Sequence, residues 1–182
     1  VTEKTSDRAA ALAVEMGMKQ GKTVIVVNDG PGFYTTRILV PFMDEASIIA
    51  LEGEDFHHLN DVMKKFGFPV GPITLCDEVG LDVGLHIAHD LKKALGDRLC
   101  EAPPELLDDL VKNNMLGRKS GKGFFLYNEK KSSNPLKKLI GGSGKEINPA
   151  ALKIVRQNHI EPKGDNTDED IQKRIAYRMI NE

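Results

Sequence analysis

The feature that most constrains the fold is a long apolar stretch from Phe33 to Leu51. Its apolar side chains would lie on most sides of a helix, and such a helix is stable in water only when other helices surround it. Pro41 lies inside the stretch and should kink the helix or displace its start. The chain is therefore predicted to be mainly helical, with more apolar surface on this helix than one small layer of helices can cover.

Shorter helical patterns follow and could supply the surrounding layer. Asp55 is a predicted N-cap, because its carboxylate can accept hydrogen bonds from the first backbone N–H groups of a helix. The helix after it would bury one apolar face, formed by Leu59, Val62, Met63 and Phe66. Another helix is predicted over 83–95, with an inward face formed by Ile87, Leu91, Ala94 and Leu95.

The second half of the chain alternates helical patterns with glycine-rich or polar stretches. One helix is predicted to begin at Pro103 and to be closed by Gly117. A basic, glycine-rich turn then leads into a short predicted strand over 124–127. From 128 to 166 the sequence is interpreted as a linker, because its first part is dominated by Lys, Ser, Asn and Gly.

A capping signature precedes the last helical pattern. Thr167 and Asp170 are spaced to cap a helix over 171–180. Because that helix is still apolar at its last residues, we expect the sequence to be a piece of a longer protein.

The first 28 residues indicate a different kind of structure. Thr5 or Ser6 can cap a helix over 7–16. The continuous β-branched run over 23–27 is typical of a strand buried on both faces of a parallel sheet. One helix and one strand cannot form such a sheet alone. Residues 1–28 are therefore predicted to be the end of a larger α/β domain.

Composition excludes several classes of protein. The formal net charge of −2, the absence of Trp and an aromatic content of 5% argue against a nucleic-acid-binding surface. No apolar run approaches the roughly 20 residues needed to span a bilayer. Cys76 and Cys100 lie far apart and in no metal-binding motif, which favours a reducing compartment over a disulfide framework.

Two glycine motifs resemble nucleotide-binding loops and fail in detail. The motif from Gly30 to Thr35 has threonine in place of the third glycine of a dinucleotide fingerprint, so a turn between domains is the better interpretation. The motif from Gly117 to Lys122 is one residue too short for a P-loop and has no Ser or Thr after the lysine.

Side chains that could do chemistry also have simpler interpretations. His86 and His89 would share a helix face, but no third metal ligand is placed by the sequence, so solvent-exposed histidines are favoured. Asp77 and Glu78 could act as general bases, but adjacent residues of a helix point apart, which favours a solvated pair. No metal site and no catalytic residue is predicted from these positions.

Three segments in order resemble the 3-hydroxyacyl-CoA dehydrogenase family. The segment 29–37, followed by Pro41, is similar to the family signature after the dinucleotide domain. The segment 68–82 resembles its cleft-lining loop and helix, and 117–127 its closing glycine-rich turn. The resemblance implies the family's C-terminal dimerisation domain, a helical bundle like the C-terminal domain of 6-phosphogluconate dehydrogenase.

This resemblance implies a division of the chain. Residues 1–28 would be the last helix and strand of a truncated Rossmann-type NAD-binding domain. Residues 29–127 would be the helical C-terminal domain, 128–166 a linker, and 167–182 the truncated start of a second helical repeat.

The resemblance also implies the chemistry of the parent enzyme. The family oxidises the 3-hydroxyl of an acyl-CoA to a ketone with NAD, using a histidine base and an orienting glutamate. In the family both lie upstream of the motif that begins here at Asp29, and no histidine of this chain precedes His57. The chain is therefore expected to contain no catalytic residue and to be inactive alone.

The chain would still form one wall of the cleft. The resemblance implies that Thr36 contacts the acyl-CoA substrate and that Lys119 reaches NAD, while Pro69, Gly71 and Pro72 shape the wall. A solvated basic turn is the alternative for Lys119.

Thr36 stands where many family members have Asn. This position and its neighbours most resemble the branch formed by the α subunits of the mitochondrial trifunctional enzyme. That resemblance implies an enoyl-CoA hydratase upstream, a thiolase partner, a mitochondrial location and pairing of two copies through the helical half.

Two alternatives to a 3-hydroxyacyl-CoA dehydrogenase function stay open. One is a helical association module without catalysis, and the other is another two-domain dehydrogenase of the β-hydroxyacid or 6-phosphogluconate type.

Overall fold

The computed structural model describes residues 1–127 and 145–182. This part of the chain is mainly helical, as predicted, and contains no β-sheet. The helices are α1 (Asp7–Lys19), α2 (Thr35–Leu51), α3 (Phe56–Phe66), α4 (Pro72–Val79), α5 (Leu81–Leu95), α6 (Pro104–Lys112), α7 (Pro149–Gln157) and α8 (Asp168–Ile180). None of these helices is long and apolar enough to cross a membrane.

Helix α2 lies at the centre of the fold. Phe42, Ala46 and Ile49 have no exposed surface, and α3, α4, α7 and α8 pack around the helix. Pro41 is buried inside α2 and does not displace its start, which is at Thr35. Helices of the same chain therefore cover α2, and the prediction that it needs cover from a second layer is wrong.

Helices α3 and α5 follow their predicted patterns with one exception each. The Asp55 carboxylate caps α3, accepting from the backbone N of His57 at 2.8 Å and of His58 at 3.0 Å. Phe66, predicted to be buried, is half-exposed at the last position of α3, where it stacks on Phe68. Ala94, predicted to face inward, is exposed, because Leu91 occupies the buried side of α5.

Residues 1–34 contain one helix and no strand. Helix α1 continues past the predicted end at residue 16 to Lys19 and buries none of its residues. The predicted strand over 23–27 is wrong for the described chain, and Ile25 and Val26 are more than half exposed. A strand needs neighbours for its backbone groups, and here Val27 only accepts a bond from the Val1 ammonium at 2.7 Å. The assignment of 1–28 to an α/β domain stays a prediction.

Part of the predicted linker is a helix of the core. Residues 128–144 of that linker lie outside the described residues, but Pro149–Gln157 forms α7 and buries Ala151, Ile154 and Val155. The Asn148 side chain caps α7 by accepting from Ala150 N at 3.1 Å. The interpretation of this part as a linker is wrong, because apolar residues at helical spacing pack it against α2 and α6.

The two remaining predictions concern α6 and the segment after it. Helix α6 ends at Lys112, five residues before the predicted closure at Gly117. The predicted strand over 124–127 forms only isolated bridges among the described residues, between Lys122 and Leu126 and between Phe125 and Ile147.

Helix α8 completes the core. Thr167 caps it as predicted, accepting from Asp170 N at 3.2 Å. Ile171, Ile175 and Ala176 are buried against α2 and α3. The last helix therefore belongs to the same core as α2; whether it also begins a second repeat stays a prediction.

An ion-pair network joins α8 to α2. Arg174 donates to Glu45 at 2.7 Å, to both oxygens of Glu52 at 2.6 and 2.9 Å, and to Asn166 at 2.6 Å. Glu45 and Glu52 are only 7% and 5% exposed. Buried carboxylates lose their hydration, and only well-placed hydrogen bonds from a cation offset that loss. Both acids therefore depend on Arg174.

The pKa of Glu52 reflects this network. Burial alone would raise it, but the hydrogen bonds from Arg174 and Asn166 lower the pKa below the ordinary value of 4.5. A carboxyl with a lowered pKa stabilises the fold above its unfolded pKa, and this stabilisation is lost as the pH falls through the folded pKa.

We predict that Arg174→Gln lowers the free energy of unfolding by roughly 2–4 kcal/mol at pH 7, because it leaves the buried Glu52 without a cation and leaves Glu45 with only the more distant Arg178, at 3.7 Å. The difference from wild type should narrow as the pH falls from the ordinary value of 4.5 through the lowered pKa of Glu52, where the folded carboxyl becomes protonated. Urea denaturation across this pH range measures both effects. The control is Lys173→Gln, which removes an exposed pair with Glu169 from the same helix and should leave stability unchanged; equal losses in the two variants would contradict the prediction.

Candidate functional site

The predicted wall residues Gly71 and Pro72 are the N-cap and the first residue of helix α4. Both are buried, and a Cβ at Gly71 would overlap Asn60 of α3. The Asn60 side chain caps α4 by accepting from Ile73 N at 3.0 Å and from Thr74 N at 3.2 Å. Gly71 therefore permits the close approach of α3 and α4, while Pro69 is exposed in the loop before them.

The centre of the site is Asp77 on α4, which is only 1% exposed. Its two carboxylate oxygens accept from Phe124 N and Phe125 N at 2.9 Å each and from the Tyr127 hydroxyl at 3.0 Å. The prediction of a solvated pair is therefore wrong for Asp77. It holds for Glu78, which is exposed and faces Arg118 at 3.3 Å.

Burial raises the pKa of Asp77 above its usual range, while the bonds from Phe125, Phe124 and Tyr127 act in the opposite direction. A raised pKa in a cleft can mark a general base. Here, however, both oxygens are used by donors of the following turn. Asp77 therefore fixes the glycine-rich turn to α4 and is not assigned a catalytic role.

Lys119 lies on that turn, in a short 3-10 helix over Arg118–Ser120. Its side chain is about half-exposed, and its Nζ is 2.5 Å from Oδ1 of Asp82 in the first turn of α5. The turn thus brings a lysine to the junction of α4 and α5. Its predicted contact with NAD stays a prediction.

Thr36 lies elsewhere, in the first turn of α2, where it is half-buried. Its neighbour Arg37 pairs with Glu182, which also accepts from Arg98 at 2.6 Å. Within residues 1–127 and 145–182, no hydrogen bond or ion pair joins Thr36 to Lys119. The structure therefore places Gly71 and Pro72 at the N-terminal end of α4, Lys119 beside its C-terminal end, and Thr36 on a separate helix.

The histidines are dispersed. His58 lies between Glu54 at 2.7 Å and Asp168 at 2.8 Å, and His159 contacts the carbonyl of Leu51. His86 and His89 are exposed on α5. No cluster of three His, Cys, Asp or Glu side chains that could hold a metal ion occurs in the described part of the chain.

Both thiols line a small apolar cavity of about 110 Å³ between α2, α4, α5 and α6. Cys76 and Cys100 are free thiols. Burial raises the pKa of Cys76 to about 12 and that of Cys100 to about 11. Since the thiolate is the nucleophile, neither thiol is suited to nucleophilic chemistry near neutral pH.

Comparison with known proteins gives a consistent set of similarities. Residues 32–127 match the family model "3-hydroxyacyl-CoA dehydrogenase, C-terminal domain". The chain is 42% identical over 180 residues to the fatty acid oxidation complex subunit alpha of Shewanella halifaxensis, covering 99% of this chain and 23% of that protein. The chain thus spans about a quarter of the length of the curated relatives it matches.

Two solved structures have the same helical arrangement. The dehydrogenase part of multifunctional enzyme 1 from C. elegans has a TM-score of 0.67 and 26% identity, covering 98% of this chain and 37% of that chain. The (S)-3-hydroxybutyryl-CoA dehydrogenase from Ralstonia eutropha has a TM-score of 0.62 and 32% identity, covering 70% and 45%.

We predict that Asp77→Asn destabilises the fold. An amide has one acceptor oxygen in place of two, so at least one buried N–H of Phe124 or Phe125 loses its partner, at roughly 1–3 kcal/mol for each unsatisfied group. Urea denaturation measures the loss. The control is Glu78→Gln at the adjacent, exposed position, expected within about 0.5 kcal/mol of wild type. A similar loss at both positions would argue against the role assigned to Asp77.

Proposed function

The chain belongs to the 3-hydroxyacyl-CoA dehydrogenase family, and on that premise we propose that it is the C-terminal helical part of an NAD-dependent L-3-hydroxyacyl-CoA dehydrogenase of fatty acid oxidation. The observation that carries the proposal is the family match over 32–127, which spans α2 to α6 and the glycine-rich turn. In the intact enzyme, the 3-hydroxyl of an acyl-CoA would become a ketone.

Within that enzyme the chain forms one wall of the substrate cleft. Thr36 would contact the acyl-CoA, and Lys119 would contact NAD, which accepts the hydride when bound. Lys119 fits this role because its ammonium is at the surface and has three N–H donors, of which Asp82 needs one. Gly71 and Pro72 act indirectly, by setting how α4 packs on α3.

Both alternative functions account poorly for the family match. An association module has no physical need for the segments 68–82 and 117–127, whose contacts converge on Asp77 and Lys119. A dehydrogenase of the β-hydroxyacid or 6-phosphogluconate type would share helices but not the match to the 3-hydroxyacyl-CoA dehydrogenase model.

The subunits, the second activity and the location of the parent protein are proposed separately. The name of the Shewanella relative, subunit alpha of a complex, supports a parent with at least one other subunit. We propose a thiolase as that subunit and an enoyl-CoA hydratase in the same chain, both from the resemblance alone. A mitochondrial location has the same basis, and the bacterial relatives do not support it.

We predict that this chain, exchanged for the corresponding residues of the Shewanella subunit, retains NAD-dependent oxidation of 3-hydroxyacyl-CoA. The kcat/KM should stay within about tenfold of the unmodified subunit, because the cleft wall would be equivalent. NADH absorbance with short- and long-chain substrates measures the rate.

Two controls bound this experiment. The Shewanella subunit from which the corresponding residues are deleted should be inactive. The isolated chain should show no turnover, because the resemblance places the histidine base outside it. Turnover by the isolated chain, or an inactive but folded chimera, would contradict the proposal.

Self-association is a separate proposal. Helix α2 is covered by helices of the same chain and offers no pairing surface, but α1 and the residues after it expose Leu12, Met16, Met18, Ile25 and Val26. Exposed apolar surface of this extent favours association, and self-pairing gives a closed two-fold assembly.

We predict that the isolated chain is a dimer at micromolar concentration, with an interface of roughly 1,000 Å² or more. Light scattering measures the mass, and a monomer would contradict the prediction. The variant Leu12→Lys/Met16→Lys tests which surface pairs: a dimer that persists uses the helical core, and one that dissociates uses α1.

A further inference from the structure

The ion pair between Lys119 and Asp82 connects two parts of the site. Lys119 lies on the glycine-rich turn, and Asp82 lies in the first turn of α5, 37 positions earlier in the chain. Nζ lies 2.5 Å from Oδ1, so the two charged groups are in direct contact. Asp82 stays ionised, because the hydrogen bond from Lys119 lowers the pKa of its carboxyl.

Gly80 leaves the space through which the lysine reaches this carboxylate. A Cβ at Gly80 would lie 3.2 Å from Nζ and 3.3 Å from Cε of Lys119, which is tighter than ordinary contact. Gly80 also has a φ of 100°, a backbone conformation that glycine adopts easily and other residues rarely do. The stem of Lys119 therefore lies against bare backbone at the turn between α4 and α5.

The backbone that carries Lys119 is itself fixed. Gly117 N donates to the carbonyl of Lys122 at 2.9 Å, and the Ser120 hydroxyl accepts from Leu116 N at 2.9 Å. The bonds from Phe124 and Phe125 to Asp77 hold the following residues on α4. Hence the remaining freedom of Lys119 lies in its four-carbon side chain, and Asp82 restricts that freedom.

A purely structural role for Asp82 is the competing explanation. A carboxylate in the first turn of a helix interacts favourably with the helix dipole. An ion pair this exposed contributes little to stability, however, because water screens it. Holding a long, flexible lysine in place before a ligand binds has a larger effect on affinity, because binding then loses less free energy to ordering that side chain.

We propose that Asp82 is a positioning residue, which holds the Lys119 ammonium at the junction of α4 and α5 and leaves its other two N–H donors for the dinucleotide cofactor. This inference rests on the proposed function, because it needs Lys119 to contact NAD. In this role Asp82 acts on the cofactor only through Lys119. Gly80 leaves the space that the side chain of Lys119 needs to reach Asp82.

The test uses the full-length protein that contains this chain and measures kcat and the KM values for NAD and for acyl-CoA. Asp82→Asn should raise the KM for NAD by about 3- to 10-fold and leave kcat within about twofold, the pattern of lost uniform binding. Lys119→Ala should raise the KM for NAD by at least as much. In the Lys119→Ala background, Asp82→Asn should have no further effect on the KM for NAD. In the protein that keeps Lys119, Asp82→Glu should retain part of the affinity for NAD that Asp82→Asn loses.

Glu105→Gln is the matched control, because it removes an exposed carboxylate from the first turn of α6 that forms no ion pair with Lys119, whose partner in the described residues is Asp82. It should leave both KM values unchanged, and thermal denaturation of every variant checks that the fold is retained. A purely structural role would lower the melting temperature of Asp82→Asn without changing its KM for NAD.

The unfavourable outcomes are distinguishable. A wild-type protein that does not oxidise 3-hydroxyacyl-CoA overturns the proposed function itself. If Lys119→Ala raises the KM for NAD and Asp82→Asn does not, only the positioning role is overturned. A lower KM in Asp82→Asn, or additive effects in the double variant, would also overturn it, because Asp82 would then mask Lys119 or act independently.

Discussion

The acidic side chains on α2 determine how the rest of the chain must pack. Glu45 on α2 and Glu52 at its C-cap are nearly buried beside a helix that is otherwise apolar on most sides, and a buried carboxylate without a cation is strongly destabilising. Arg174 supplies that cation from α8. Asp44 pairs with a second arginine of α8, Arg178, at 3.4 Å, and accepts from the backbone N of Glu101 at 2.8 Å, which fixes the segment before α6. Helix α2 thus orders both α8 and the segment before α6.

The candidate site depends on another buried carboxylate, which is satisfied by backbone and hydroxyl donors. Asp77 on α4 holds the glycine-rich turn through two backbone donors and one hydroxyl, and the turn in turn carries Lys119. A lysine placed by hydrogen bonds from a packed helix is more precisely located than one on an independent loop. The family's glycine-rich segment is therefore best understood as part of the α4 surface.

Local signals in the sequence predicted much of the fold. The caps at Asp55 and Thr167 and the central position of α2 depend on residues close together in sequence, and the structure has all three. The signal for α7 was present as well, in apolar residues at 151, 154 and 155, but the polar composition before it obscured that short pattern. The strand over 23–27 failed because strand propensity has no effect without a neighbouring strand.

The site was less predictable because its contacts are distant in sequence. Nothing around Asp77 indicates that its partners lie 47 and 48 positions later, so an acidic pair on a short helix looked solvated. The resemblance identified Lys119, but the role proposed for Asp82 required the three-dimensional distance.

The distance in sequence between α2 and its arginine has a consequence for the order of events during synthesis. Arg174 follows Glu45 by 129 positions and Glu52 by 122. A ribosome adding roughly 5–20 residues per second would expose the acids of α2 for several seconds before α8 emerges. Helices α3 to α6 can associate with α2 in that interval, but its acidic side remains hydrated and the core stays open. This part of a nascent chain is thus vulnerable to proteases and to misassociation until α8 has emerged.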